Sequence, residues 1–257
     1  MSGTPPRYAQ GTPCWVSLLA RDLDTAERFY GPLLGWDFAA GPTDLGPYLR
    51  AVVDGLPVAG VGVMPEGSDF AVDWITYFAA DDADEVAQQV RDRGGTLAMG
   101  PLEFGRSGRM AVAADLDGAV FGIWQGREHL GWERQHEPGT AAWSELATPE
   151  AERATRFYAG AFGSSAVESG SARVHQEQDE IVLKVGGRMV AGIRNVHDLE
   201  DRPRWRIHFA VRDVELAVGR ARELGGGVEQ APADTPYGRA ALLRDAEGGP
   251  FAVVQLS

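Results

Sequence analysis

A repeat inside a repeat governs how this chain can fold. PCWVSLLARDLDTAERFYGPLLGW, from Pro13 to Trp36, returns as AAWSELATPEAERATRFYAGAFG, from Ala141 to Gly163. Trp15 matches Trp143, and Phe29-Tyr30 matches Phe157-Tyr158, at one common offset. WITYFAADDADEVAQQVRDRGG (Trp74 to Gly95) returns as WRIHFAVRDVELAVGRARELGG (Trp205 to Gly226). Shorter echoes follow in the same order: VAGVGV at Val58 and VAGIRN at Val190, then DLDGAVFGIWQ at Asp115 and DAEGGPFAVVQ at Asp245. Self-similarity on this scale means duplicated structural units. The spacing places one domain over residues 8–128 and a second over 138–257. Between them, residues 129–137 lie in the charged, Gly- and Pro-bearing GREHLGWERQHEPGT, which reads as a linker.

Each half also repeats internally. A strand leads to a helix, turn-separated β segments follow, and the series starts again. Asp22 or Asp24 can cap a helix whose apolar face carries Leu23, Ala26, Phe29, Tyr30 and Leu33. In the second half Thr148-Pro149 reads as an N-cap with proline at the first helical position. Helices over Ala83–Arg93 and Val214–Leu224 stop at Gly94-Gly95 and Gly225-Gly226. One helix followed by several short strands, four times over, predicts an α+β fold whose sheets each have a helix-covered face.

Charge narrows the partners. The net charge is −13 with no basic cluster, which argues against nucleic acid or an anionic membrane surface. No apolar run approaches the roughly 20 residues of a membrane span. The N-terminus MSGTPPRYAQ lacks the apolar core of a signal peptide, and the lone cysteine, Cys14, forms no internal disulfide. The expectation is a cytoplasmic protein with an inert, packed Cys14 thiol.

The D-x-x-x-A-x-x-FY helix entry, the VAG strand, the (F/V)AxxDxD strand-to-helix junction and the D-x-(D/E)-G hairpin occur in order across nearly the whole chain. Together they resemble the vicinal oxygen chelate superfamily, which includes glyoxalases, bleomycin-resistance proteins and extradiol dioxygenases. QGTPCWVSL, WITYFAADDAD, GRM and GIWQGREHLGW look like its tandem-domain branch, with the mycobacterial antigen-type proteins labelled glyoxalase-like or hydroxylase. The resemblance implies βαβββ modules, paired into a cupped mixed sheet in each of two tandem domains. It also implies that a fused pair can diverge where a symmetric homodimer cannot, leaving a monomeric pseudo-dimer or a homodimer of it.

Metal-dependent relatives place His or Glu on the first strand of a module and Glu on the last. Carried over, the first-strand positions fall on Trp15, Ile75, Trp143 and Arg206, and the last-strand positions near Gly60 or Gly62, on Gly122, near Gly192 and on Ala252. None of these side chains supplies a free lone pair for a divalent ion, so the resemblance implies no metal and no cofactor at that position.

Strand side chains alternate, so residues two apart share a face. If Trp15 points into the first cup, Ser17 joins it, with Ile75, Tyr77 and Trp124. That gives a largely aromatic wall suited to a planar ligand; the same residues also fit plain core. The second cup receives Trp143, Glu145, Arg206, His208 and Val254. Glu145 and His208 can work as a general acid–base pair with Arg206 holding an anion, or the three can form a structural ion-pair network. His129, His136, His175 and His197 read as solvent-exposed, and Arg109 and Arg239 as cup-closing groups or strand-edge salt bridges.

These readings favour a metal-independent binder of a small aromatic or hydrophobic molecule, for sequestration, resistance or a secondary-metabolite pathway. The alternatives are an isomerase, lyase or oxygenase partner using Glu145 and His208, and an interaction protein with collapsed cups.

Overall fold

Asp22 sits in extended backbone and its carboxylate accepts the Thr25 amide at 2.7 Å, so the chain turns there from strand to helix. The computed structural model that shows this describes residues 7–44, 46–68, 70–163, 173–177, 180–196, 202–235 and 237–256. Four βαβββ modules follow one another. The first comprises β1 (Pro13–Ala20), α1 (Leu23–Leu34), β2 (Asp37–Ala40), β3 (Tyr48–Val53) and β4 (Leu56–Val63), and the second β5 (Asp73–Ala79), α2 (Ala83–Asp92), β6 (Thr96–Phe104), β7 (Gly108–Ala114) and β8 (Val120–Gly126). The third comprises β9 (Ala141–Thr148), α3 (Ala151–Gly163), β10 (Arg173–Glu177), β11 (Glu180–Val185) and β12 (Arg188–Asn195). The fourth comprises β13 (Arg204–Ala210), α4 (Val214–Glu223), β14 (Gly227–Thr235), β15 (Gly238–Arg244) and β16 (Pro250–Gln255).

The hydrogen-bonded strand order is β2-β3-β4-β1-β5-β8-β7-β6 in one sheet and β10-β11-β12-β9-β13-β16-β15-β14 in the other. Within each module the first and last strands run parallel and the other pairs antiparallel, so both sheets are mixed. Asp82 and Asp213 cap α2 and α4 through their side chains, as Asp22 caps α1. The third module departs from the expected cap. Thr148 is the last residue of β9, paired with Asn195; its hydroxyl accepts the Glu150 amide at 3.3 Å, but α3 starts only at Ala151, so Pro149 precedes the helix.

The chain divides into two compact units, each drawing one module from either half. The first takes Met1–Trp15, Ile75–Gly131 and Ser144–Trp205; the second takes Val16–Trp74, Trp132–Trp143 and Arg206–Ser257. Helices α2 and α3 pack together in the first unit, and α1 and α4 in the second.

The repeated tryptophan, Phe-Tyr pair and aspartate hairpin meet inside these units. In the first, the Trp205 indole donates to the Tyr158 hydroxyl at 2.8 Å, and that hydroxyl donates to Asp115 at 3.0 Å. The other Asp115 oxygen accepts the amides of Asp117 and Ala119 across its own hairpin. In the second, Trp74 donates to Tyr30 at 2.9 Å and Tyr30 to Asp245 at 2.8 Å, with the Glu247 and Gly249 amides on the other oxygen. Every polar atom of these buried chains has a partner, so the cost of removing them from water is met. Burial raises both aspartates above the ordinary carboxylate value and pushes both phenols well up, with the adjacent carboxylate adding to the latter.

The phenylalanine of each pair explains a glycine. A Cβ at Gly95 would come within 2.8 Å of Phe157, and one at Gly226 within 2.7 Å of Phe29. Their neighbours Gly94 and Gly225 take φ of 84° and 88°, which only glycine adopts freely, and so end α2 and α4. Around these contacts Phe78, Phe121, Phe162 and Trp205 fill the first core, and Trp36, Trp74, Phe209 and Phe251 the second.

Candidate functional site

Along the parallel ladders one register holds in all four modules. Gly60 stands beside Ser17, Gly122 beside Tyr77, Gly192 beside Glu145 and Ala252 beside His208. The last-strand positions where the superfamily places a carboxylate therefore each face a first-strand side chain, and in two modules an aromatic ring lies on the glycine. A Cβ at Gly122 would collide with the Tyr77 ring, and one at Gly60 with the Tyr48 hydroxyl. Glycine inside a strand marks such a close approach. Any longer residue at either position therefore requires a tyrosine side chain to move.

In the first unit Trp15 is 4% exposed, and the His129 ring stands edge-on to it at 4.3 Å. His129 also meets Trp124 at 5.7 Å, and its backbone carbonyl accepts the Trp124 indole N–H at 2.9 Å. Phe104 extends the cluster at 6.0 Å from Trp124. His129 is thus half-buried between two indoles, which corrects the expectation of a solvent-exposed linker histidine. The physical reason is that Gly126, Gly131 and Trp124 pack the segment down: a Cβ at Gly126 would meet the His129 carbonyl at 2.5 Å. Ile75 is half-buried and Tyr77 is buried. The Cys14 thiol is fully buried and donates to the Tyr77 carbonyl at 3.5 Å; burial pushes its pKa far up, so it is no nucleophile. Glu145 belongs to this unit too. Its carboxylate accepts from Nη2 of Arg194 at 2.8 Å and from Nε at 3.1 Å.

In the second unit Ser17 Oγ and Tyr48 OH are 2.8 Å apart, so the serine hydroxyl is engaged by a tyrosine of β3. Trp143 stacks on Tyr237 at 5.8 Å with 26° between the rings. Arg206 is buried and reaches Glu229 at 2.9 Å, and Arg244 holds the other oxygen of Glu229 at 3.3 Å. His208 is half-buried on β13, and Val254 packs with Ala142 and Ala210 in a small apolar cluster. Trp132, within the charged segment between the halves, is buried and donates to the Val58 carbonyl at 2.9 Å.

Of the remaining groups, His136 is exposed, while the side chain of His175 and all of His197 lie outside the described residues. Arg109 pairs with Asp84 and Glu103, and Arg239 with Glu215 and Asp234, so each ties its strand to the first turn of its own module's helix as a strand-edge salt bridge. Tyr48, Tyr237, Arg194 and Glu229 were not singled out from the sequence. Only Tyr48 left a signal, the glycines of VAGVGV that give its ring room. Among the described residues no cluster of three His, Cys, Asp or Glu side chains could hold a metal ion, and no helix is long and apolar enough to cross a membrane.

Four βαβββ modules in two mixed sheets, with first and last strands parallel in each, define a tandem glyoxalase-like protein. The comparisons with known proteins agree, and the chain belongs to the glyoxalase-like, vicinal oxygen chelate family. The family model described as "Glyoxalase-like domain" matches residues 143–254. The chain is 35% identical over 253 residues to "Putative glyoxylase CFP32" of Mycobacterium tuberculosis, covering 96% of both chains. It is 36% identical to "Anthracycline biosynthesis protein DnrV" of Streptomyces peucetius, covering 97% of this chain and 95% of that one. Among solved structures, the Mn(II)-bound glyoxalase from Novosphingobium aromaticivorans superposes with a TM-score of 0.63 at 14% identity, over 96% of this chain and 85% of that one. The 2,3-dioxygenase LapB from Pseudomonas sp. KL28 gives 0.64 at 11%, over 97% and 93%. At such identity these two speak for the fold alone.

Proposed function

We propose that this protein binds a small aromatic or hydrophobic molecule without a divalent metal at the family's usual position, in a secondary-metabolite or resistance role. The observation that carries the reading is the filling of the last-strand positions: tyrosine rings lie over Gly60 and Gly122 where a carboxylate would need space. Side-chain aromatics stand in place of a Lewis acid. Indole and phenol faces offer a planar molecule large contact area with little conformational entropy to lose. Trp143 and Tyr237 form a stacked, partly open pair, and Trp15 and Trp124 are buried beside His129 as the aromatic part of the first unit's proposed wall. A relative named for anthracycline biosynthesis is 36% identical to this chain. Ser17, Ile75, Tyr77 and Arg206 complete the proposed binding set, and the working compartment is the cytoplasm. Titration with planar aromatic compounds, following tryptophan fluorescence, tests it. Saturable quenching by at least one ring system is expected; none across a broad panel overturns the reading.

A second reading rests on the shared register. Glu145 and His208 occupy equivalent places beside Gly192 and Ala252. Carboxylate and imidazole are side chains used for proton transfer, and Arg194 orients the Glu145 carboxylate. On this reading His208→Ala abolishes turnover of a bound substrate with affinity largely kept. Unchanged turnover on substituting both residues removes it.

A further inference from the structure

The indole N–H of Trp143 is shielded from water and has no hydrogen-bond partner, although its ring is only half-buried. A shielded, unpaired donor costs roughly 1–3 kcal/mol and needs an explanation. Two other repeated strand tryptophans, Trp74 and Trp205, donate to tyrosine hydroxyls. Trp143 instead lies under Tyr237, at the tip of the β14–β15 hairpin, where the Thr235 hydroxyl accepts the Tyr237 amide at 3.2 Å and donates to the Gly238 carbonyl at 2.6 Å. The hairpin tip so held sets a phenol, 39% exposed, nearly parallel to the indole. A donor without an acceptor beside a stacked, partly open aromatic pair has the two halves of a recognition element: a face for a ring and an N–H for an oxygen on that ring.

We infer that Trp143 and Tyr237 form a subsite for an oxygen-bearing aromatic ligand, with the Trp143 indole N–H donating to a carbonyl or phenolate oxygen of the ring system. This rests on the aromatic-binding reading above and narrows its ligand class. Plain aromatic hydrocarbon would stack there and leave the N–H unpaired, so the subsite selects for the oxygen. Selection of this kind is a difference of affinities, and one net hydrogen bond supplies roughly five- to tenfold.

Two probes of equal charge separate the effects: anthraquinone-2-sulfonate and anthracene-2-sulfonate, titrated into the full chain by calorimetry. Wild-type protein should bind the quinone roughly five- to tenfold more tightly. Trp143→Phe, which keeps a ring and removes the donor, should erase that preference while anthracene-2-sulfonate binding stays within about twofold. In ¹⁵N-labelled wild-type protein, the Trp143 indole N–H resonance should move downfield with the quinone and not with the hydrocarbon. Equal affinities with no such movement would overturn the subsite and leave aromatic binding standing. Failure of both probes to bind would overturn the subsite, and the aromatic-binding reading would fall with it only if the broad panel also failed.

Discussion

The first and second units carry the same internal skeleton and different side chains along their first strands. In both, tryptophan, tyrosine and aspartate form one buried chain of hydrogen bonds, and a phenylalanine sits on a helix-terminal glycine. At the strand positions the first unit presents Trp15, His129 and Trp124, with Glu145 tied to Arg194. The second presents Ser17 bonded to Tyr48, Trp143 stacked on Tyr237, and Arg206 sharing Glu229 with Arg244. Duplication was thus retained in the buried hydrogen-bonded skeleton and lost at the first-strand positions. Buried polar chains have to be complete to be stable, so their members change together or not at all; a wall residue changes alone.

The comparison breaks most visibly if the two skeletons are unequal. Tyr158→Ala and Tyr30→Ala should each cost about 3–5 kcal/mol by urea unfolding, from the cavity and the stranded carboxylate. A large loss in one unit and a small one in the other would show that only one chain of hydrogen bonds supports its core. Tyr158→Phe and Tyr30→Phe isolate the polar part and should cost about 1–3 kcal/mol each, leaving one oxygen of Asp115 or Asp245 and an indole N–H unpaired.

The pocket side is sharpened by putting the carboxylate back. Gly122→Glu should destabilise by about 1–3 kcal/mol as the Tyr77 ring is forced aside, without conferring metal uptake by elemental analysis. Stable folding with one bound metal per chain would show that the ring yields and the site is latent.

A pH series probes the buried aspartates. Their folded pKa values lie above the ordinary 3.8, so the native state holds protons more tightly than the unfolded chain. Their contribution to stability is complete below 3.8 and is lost as pH rises through the folded values. The unfolding free energy of wild type minus that of Asp115→Asn should therefore grow as pH falls through that window; a flat difference would contradict the desolvation. The smallest effect belongs to Glu145→Gln, whose partner Arg194 is well exposed: under about 1 kcal/mol by urea unfolding.

Much of the architecture was readable in the sequence because its signals are local. A cap aspartate, a terminal Gly-Gly and a helix-spaced Phe-Tyr pair each act within a few residues, and each occurs in order. The partners of that pair were not readable, since Tyr30 meets Asp245 and Tyr158 meets Asp115 from the opposite half of the chain. The repeat named the members of each chain of hydrogen bonds without saying which copy joins which. Thr148 misled because a good capping residue can be held in a strand by its ladder partner. His129 misled because charged neighbours suggest solvent, while Trp124 from the preceding strand and Trp15 from the start of the chain's first strand enclose the ring. Strand parity picked out Trp15, Trp124 and Trp143 as wall candidates, but not Tyr48 or Tyr237, which arrive from a hairpin strand and a hairpin tip.

The central claim is recognition by aromatic faces without a metal ion. Its most direct test is titration of the full chain with anthraquinone-2-sulfonate before and after exhaustive dialysis against a chelator, then with Mn(II) or Fe(II) restored. The account predicts one affinity throughout. Binding lost to the chelator and regained with the metal would contradict it.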